Sequence, residues 1–200
     1  MPSGESDPRS LRVLEADPDL GLDLDPEGFQ TAARELAAPV MELDWTTRTG
    51  AWGPPEPKGH LGMLMTSGLL LREVSLLGTF SAEVLGPGDL LRPWDVDGGY
   101  ALPVRTEASW TVLTPCQVTL LGPDFLRRAA AWPDVLARLT GRSVQRSRGL
   151  ALHDAITNLK HVDTRLLVLF WHLAERWGRV GPDAIAIAVP LTHEMLARLV

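Results

Sequence analysis

After Pro133 the chain runs to about Lys160 without a proline, and this stretch predicts a single helix. At 1.5 Å per residue this helix would be about 40 Å long. Small side chains recur along it in steps of three and four, so they share one face. A small β domain cannot cover such a helix, so we expect this face to pair with a second copy of the chain. The alternative is a helix that packs only on its own domain. The predicted dimer face consists of Ala137, Thr140, Val144, Ser147 and Ala151.

Between Pro39 and Leu121 the sequence consists of short apolar runs separated by turn signals. Residues 66–68 (Thr-Ser-Gly) and residues 114–116 (Thr-Pro-Cys) each predict a tight turn between two strands. About seven or eight short strands at this spacing are typical of a sandwich, a jelly roll or a β-roll. We therefore expect a β domain before the long helix.

Charge is distributed unevenly along the chain. The net charge is −6, which taken alone argues against a nucleic-acid-binding protein. Residues 1–30 hold eight acidic and two basic side chains, which predicts a loose acidic leader, with a short helix beginning near Asp25. Residues 127–200 hold eleven basic and six acidic side chains. Six of these bases are arginines within residues 127–148, which form either a solvated helix face or a surface that faces a polyanion.

The C-terminal part carries signals for helix, strand and helix in that order. Asp163 is suited to cap a helix over residues 164–177. Residues 184–189 alternate Ala with Ile and Val and predict a strand. Thr192 is suited to cap a last helix, which is still in progress at Val200. We therefore expect the final domain to be interrupted at this point.

Two segments of this part resemble a known domain. Residues 162–178 contain Val-Asp-Thr-Arg-Leu-Leu and Leu-Ala-Glu-Arg-Trp-Gly, and residues 190–197 read Pro-Leu-Thr-His-Glu-Met-Leu-Ala. Both resemble the entry to the winged helix-turn-helix domain of the Crp/Fnr (catabolite activator protein-like) superfamily of transcription regulators, in its actinobacterial form. Residues 86–91 (Gly-Pro-Gly-Asp-Leu-Leu) more weakly resemble the start of that family's phosphate-binding cassette. The resemblance covers about residues 35–200.

The resemblance implies an α+β fold with three parts. These are an N-terminal double-stranded β-helix or β-roll (a cyclic-nucleotide-binding-like jelly roll), a long dimerisation helix and a partial C-terminal winged helix. The chain would then divide into an acidic leader (1–30), a β-roll sensor domain (31–132), a dimerisation helix (133–161) and an incomplete winged helix-turn-helix domain (162–200).

The resemblance also implies a function, that of a DNA-binding transcription regulator. Its sensor would respond to an effector and act through the dimer helix on a recognition helix in the major groove, and that helix would follow Val200. The implied partners are double-stranded DNA, a second copy of the chain and RNA polymerase. Thr192, His193 and Arg198 are the residues expected to contact DNA phosphates. The alternative is a stand-alone ligand-binding or dimerisation module that does not bind DNA.

The sequence departs from the family's nucleotide-binding members at the positions that bind the effector's phosphate. Those members hold a cyclic phosphate with an Arg–Ser or Arg–Thr pair, and the corresponding positions here are Thr106 and Glu107. A carboxylate at Glu107 would repel the phosphate, so we expect no tight binding of cyclic AMP and leave the effector unnamed. The candidate effector-binding residues are Asp89, Leu90, Trp94, Arg105 and Glu107.

Other chemistries find little support in the sequence. His60 is the only one of the five histidines in the β region, so a cupin-type metal site lacks ligands there. The single cysteine, Cys116, excludes an internal disulfide and is typical of a small buried side chain. No P-loop or dinucleotide motif is present. We therefore expect no enzyme, no metal and no cofactor. Neither a signal peptide nor a transmembrane segment is indicated, so the expected location is the cytoplasm.

Overall fold

The computed structural model describes residues 9–44, 59–92 and 106–200. These residues form an antiparallel sheet with helices before and after it. The sheet strands are β1 (Ser10–Arg12), β2 (Ala37–Leu43), β3 (Gly62–Leu76), β4 (Thr79–Leu85), β5 (Leu90–Leu91) and β6 (Thr106–Leu121). Their order is β1-β2-β6-β3-β4, with β5 paired to β3.

Six helices surround this sheet, and a small hairpin lies near the C-terminus. The helices are α1 (Val13–Ala16), α2 (Pro26–Glu35), α3 (Pro123–Ala129), α4 (Pro133–Thr157), α5 (Val162–Trp177) and α6 (His193–Leu199). A 3₁₀ turn over Pro18–Gly21 lies between α1 and α2. Strands β7 (Gly178–Val180) and β8 (Ile185–Ile187) lie between α5 and α6 in the sequence and pair with each other. Among the described residues, no helix is both long and apolar enough to cross a membrane.

The two turns predicted at residues 66–68 and 114–116 are wrong. Both segments lie inside continuous strands, β3 and β6, which pair with each other and shift register at this point. Gly68 has a φ of +82°, and a Cβ there would lie 2.3 Å from the carbonyl oxygen of Pro115. The Cys116 thiol donates to the carbonyl oxygen of Leu69 at 3.4 Å. The two turn signals therefore face each other across one irregularity, which bends both strands together.

The loose leader predicted over residues 1–30 is wrong for its described part, residues 9–30. Val13, Leu14 and Leu20 are buried in a cluster with residues of α2, α3 and α4. Their acidic neighbours in the sequence hid this apolar spacing. The helix predicted near Asp25 is confirmed, because the Asp25 carboxylate caps α2 by accepting from the Gly28 N–H at 2.6 Å.

The long helix predicted after Pro133 is confirmed as a helix of 25 residues. Val135, Leu139 and Ile156 are buried on the face that α4 turns towards its own chain. The five residues of the predicted dimer face are all exposed on the other side. Helix α4 therefore packs on its own domain by one face and leaves the opposite one uncovered, and its pairing with a second copy stays a prediction.

The C-terminal helices pack directly on the sheet. Leu169, Leu173 and Leu199 of α5 and α6 share a buried cluster with Leu71 and Val84 of the sheet. The cap predicted at Asp163 is wrong, because α5 already begins at Val162 and His161 is the residue before it. The cap predicted at Thr192 is confirmed, since the Thr192 hydroxyl accepts from the Met195 N–H at 3.2 Å.

Gly68→Ala should destabilise the fold more than Gly78→Ala. Both glycines have a φ of +82°, so alanine at either position should cost about 1 kcal/mol of backbone strain. A Cβ at Gly78 meets nothing within 4 Å, whereas at Gly68 it meets backbone atoms of β6. We expect urea denaturation to show that Gly68→Ala lowers the free energy of unfolding by at least about 1 kcal/mol more than Gly78→Ala does. Equal losses would show that the bend tolerates a side chain.

Candidate functional site

Arginines of the C-terminal half meet buried or half-buried acids of the N-terminal half, across the surface where α4, α5 and α6 contact the sheet region. We call these contacts the sheet–helix ion pairs. Each joins residues that are at least 63 positions apart in the sequence. The pairs are Arg142 with Asp17 at 2.9 Å, Arg146 with Glu83 at 2.6 Å, Arg176 with Asp89 at 2.7 Å, and Arg198 with Glu73.

Glu83 of β4 is bound by two arginines. Its Oε1 accepts from Arg146 at 2.6 Å and from Arg72 at 2.9 Å. Burial alone would raise the pKa of Glu83, but the hydrogen bonds and charges of Arg146 and Arg72 outweigh it and hold the pKa below its usual value. Glu83 is therefore an ionised carboxylate that ties strand β4 to helix α4.

Asp89 has a structural role that the sequence analysis did not anticipate. Its side chain is buried, with the residue 7% exposed, and its Oδ2 accepts from the Gly86 N–H at 2.8 Å and from Arg176 at 2.7 Å. Arg176 in turn lies over the Trp177 ring, 4.3 Å from its centroid. A Cβ at Gly86 would lie 2.7 Å from Nε1 of Trp177. The loop that resembles the start of a phosphate-binding cassette therefore holds the end of helix α5.

Of the other candidate effector residues, one is buried, two lie outside the described residues and one lies in strand β6. Leu90 is buried in the core cluster with Leu64 and Leu139. Trp94 and Arg105 lie outside the described residues. Glu107 lies in β6, where it pairs with Ser75 of β3. The structure thus places Asp89 and Leu90 next to each other and leaves the effector assignment of all five residues a prediction.

The arginine cluster at residues 127–148 contains two arginines that serve neither of the roles predicted for the cluster. Arg142 and Arg146 form ion pairs with largely buried acids of their own chain. Arg138 binds both carboxylate oxygens of Asp23 at 2.5 and 2.7 Å in a pair that is partly exposed to solvent. The basic excess of this region therefore serves, in part, to hold the acidic N-terminal segment and the sheet.

The three residues predicted to contact DNA phosphates are placed differently from one another. Arg198 is bound to Glu73 and Glu194 and lies over the Phe80 ring, 5.2 Å from its centroid. The Thr192 hydroxyl is engaged as the cap of α6. His193 is exposed. In this conformation Arg198 is directed towards the β3–β4 hairpin, so the structure does not bring the three together on one free surface.

Two cavities lie along α4. The α4 cavity, of about 320 Å³, lies between the sheet and α4 and is lined by Leu90, Ser143 and Ser147 among others. The α5 cavity, of about 480 Å³, lies between the loop at residues 87–89, α4 and α5, and Asp89 lines it. Of the five predicted effector residues, Leu90 and Asp89 thus line one cavity each. Within the described residues, no group of three or more His, Cys, Asp or Glu side chains is placed to hold a metal ion.

Two histidines line the α5 cavity. His153 of α4 is 9% exposed, and neither its Nε2 nor the Nδ1 of His172 makes a hydrogen bond within the described part of the chain. Burial lowers the pKa of His153, with Glu83 opposing and His172 reinforcing the shift. Burial also lowers the pKa of His172, and the charge of Arg176 adds to it. Both side chains are therefore neutral at pH 7.

The sequence analysis did not single out Glu73, Glu83, His153, His172 or Arg176. Their partners lie far away along the chain, so no local motif marks them. One signal was available for His153. It follows Val135, Leu139, Arg142 and Arg146 at spacings that keep all five on one helical face, opposite the predicted dimer face.

Comparison with known proteins gives results at the level of structure only. No family model matches the sequence, and no curated protein matches it either. Solved structures do match, with a mixed fold built on an antiparallel sheet of the cyclic-nucleotide-binding type. At sequence identities of 18% or less, this likeness shows a shared fold.

Three of these structures illustrate the likeness. A cyclic nucleotide-binding domain containing protein from Listeria monocytogenes has a TM-score of 0.58 and 18% identity, covering 91% of this chain and 81% of its own. FixK2 from Bradyrhizobium japonicum has a TM-score of 0.54 and 18% identity, covering 81% and 76%. A CooA mutant from Carboxydothermus hydrogenoformans has a TM-score of 0.54 and 12% identity, covering 80% and 68%. FixK2 and CooA are regulators of the Crp/Fnr family.

Stability should fall as the pH is lowered from 7.5 to 5.5. An unfolded histidine has a pKa near 6.5, and the pKa values of folded His153 and His172 are lower, so the unfolded state takes up protons first. Replacing both by Gln should flatten the dependence of the unfolding free energy on pH. The matched control replaces the exposed His161 and His193 by Gln. Equal slopes in the two double variants would contradict the assignment.

Proposed function

We propose that the chain is the effector-sensing and dimerising part of a Crp/Fnr-type transcription regulator, of actinobacterial type, that acts in the cytoplasm. The proposal is carried by the fold likeness, which extends over 91% of the chain. In this proposal, residues 31–132 form a β-roll sensor, residues 133–161 a dimerisation helix, and residues 162–200 the first part of a winged helix-turn-helix. The proposed partners are double-stranded DNA, a second copy of the chain and RNA polymerase.

The proposed effector site is the α4 cavity, where Leu90 and the two α4 serines meet. Cyclic AMP is not the ligand we propose, because Thr106 and Glu107 replace the pair that binds its phosphate in the nucleotide-binding members. Residues of α4 line this cavity from one side, and one of them, Ser147, belongs to the predicted dimer face. An effector there would thus contact the helix that joins the two copies.

The exposed apolar face of α5 and the β7–β8 hairpin supports the proposal of an incomplete winged helix. Six side chains line an open groove on this face: Leu167, Phe170, Trp171, Ala174, Ile185 and Ile187. Apolar surface of this extent calls for a covering element. In a winged helix-turn-helix domain, that element would include the recognition helix. A stand-alone module without DNA binding is the second candidate, and the engagement of Arg198 by Glu73 favours it.

Val144→Glu should weaken self-association at least about tenfold. Val144 is 49% exposed at the centre of the predicted dimer face, and a glutamate there would place two like charges across the two-fold axis. Sedimentation equilibrium at tens of micromolar should give a dimer for the parent chain and mainly monomer for the variant. Val180→Glu is the matched control, because Val180 is an exposed valine on β7. A parent chain that is strictly monomeric at that concentration would refute the dimer.

The 200-residue chain should show no sequence-specific DNA binding in a gel-shift assay, because the proposed reader follows Val200 and Arg198 is engaged by Glu73. Extending the chain by the codons that follow residue 200 should create specific binding. If the reading frame stops there, the stand-alone module is the correct function. Tight specific binding by the 200-residue chain itself would show that the reader lies within it.

A further inference from the structure

The α5 cavity has the dimensions of a small-molecule site. Its volume of about 480 Å³ lies within the range of about 300–1,000 Å³ common for ligand pockets. It is separate from the α4 cavity, to which the proposed function assigns the effector, although Arg146 and Leu150 line both. One wall is apolar and is formed by Leu85, Leu169, Leu173 and Trp177. The rest of the lining includes seven charged side chains and two histidines besides further apolar residues, so the cavity suits a ligand with an apolar part and a charged part.

The buried histidines leave hydrogen-bonding groups without partners in this cavity. His153 is more than nine-tenths buried, and its Nε2 has no hydrogen-bond partner in the described part of the chain. Nδ1 of His172, on the neighbouring helix α5, also has no hydrogen-bond partner in the described part of the chain. A buried polar atom without a partner costs about 1–3 kcal/mol, and most such atoms in folded proteins are satisfied. Both histidines line the α5 cavity, and a bound group that reached these nitrogens would complete them.

The lining carries charges of both signs, and its guanidiniums are the groups suited to an anion. Four guanidiniums and three carboxylates line the cavity. Arg146 and Arg176 are paired with the lining carboxylates Glu83 and Asp89, and Arg142 is paired with Asp17. Arg148 is exposed and makes no ion pair with the described residues. Guanidinium groups are well suited to carboxylate and phosphate ligands.

We propose that the α5 cavity binds a small organic anion, whose acidic group is held by His153, His172 and Arg176 and whose apolar body lies against Leu169, Leu173 and Trp177. The binding site itself does not depend on DNA recognition. The role of a bound anion in regulation rests on the proposed function. Because Arg176 already bonds to Asp89, an anion that engages Arg176 competes with the contact that holds α5 to the sheet, and the ligand would thereby bias the docking of the C-terminal helices.

Binding of the anion should be coupled to proton uptake. Burial and the surrounding charged groups together lower the pKa of both histidines, so both imidazoles are neutral at pH 7. An anion beside them favours the protonated imidazolium. Its affinity should therefore rise as the pH falls. The surrounding titratable and charged groups are Glu83 of β4, Asp89 of the adjoining loop, Arg142, Arg146, Arg148 and Asp154 of α4, and Glu175 and Arg176 of α5.

Calorimetric titration of the 200-residue chain with hexanoate tests the proposal, with hexanol and inorganic phosphate as comparison probes. Hexanoate should bind at least about tenfold more tightly than hexanol, which lacks the charge, and than phosphate, which lacks the apolar body. Its affinity should rise at least about threefold between pH 7.5 and 5.5. Titrations in two buffers of different ionisation enthalpy should show net proton uptake. Absence of hexanoate binding, or equal binding of hexanol, would overturn the proposal.

Histidine variants and proton NMR locate the site. His172→Gln should weaken hexanoate binding and reduce its pH dependence, whereas His193→Gln, at an exposed position, should change neither. Added hexanoate should raise the pKa of His153 and His172 in the parent chain and leave that of His193 unchanged. Hexanoate binding that moves none of these values would overturn the site. If the chain dimerises but does not bind hexanoate, this inference is wrong and the proposed function is unaffected. If the chain binds hexanoate but is strictly monomeric, the proposed regulator is wrong and this inference is unaffected.

Discussion

Asp89 lies where the sheet, helix α4 and helix α5 come together, and its bond to Arg176 holds that junction. The carboxylate is buried and accepts from one backbone N–H as well as from the guanidinium. A buried carboxylate that lost Arg176 would keep its desolvation penalty, with the Gly86 N–H as its one remaining hydrogen-bond partner among the described residues. Arg176 is also stacked on Trp177, so its position is fixed from two sides. The orientation of α5, and of the elements that follow it, depends on this contact.

The remaining sheet–helix ion pairs extend the same principle along the chain. Arg146 bonds to Glu83, and Arg198 to Glu73, so that α4 and α6 are each joined to the β3–β4 hairpin region. These pairs coexist with a shared apolar cluster between the sheet and the two last helices. Apolar burial supplies the attraction, and the ion pairs fix the geometry. Both the Arg146–Glu83 pair of α4 and the Arg176–Asp89 pair of α5 line the α5 cavity.

Local features of the fold were predictable from the sequence, and non-local ones were not. Helix α4, the start of a helix near Asp25 and the cap at Thr192 follow from signals contained within a few residues. The signals at residues 66–68 and 114–116 were real but ambiguous, because glycine and proline mark bulges as well as turns and only the strand pairing decides between them. For the site, Asp89 was found by its motif. Its partner Arg176 lies 87 residues away, which a single sequence does not reveal.

A double-mutant cycle on Asp89 and Arg176 tests the central claim most directly. The unfolding free energies of Asp89→Asn, Arg176→Gln and the double variant are measured against the parent chain by urea denaturation, with Arg179→Gln as a control at an exposed arginine of β7. We predict a coupling energy of about 1–3 kcal/mol between Asp89 and Arg176 and an effect below about 0.5 kcal/mol for Arg179→Gln. A coupling energy within about 0.3 kcal/mol of zero would contradict the role given to this ion pair.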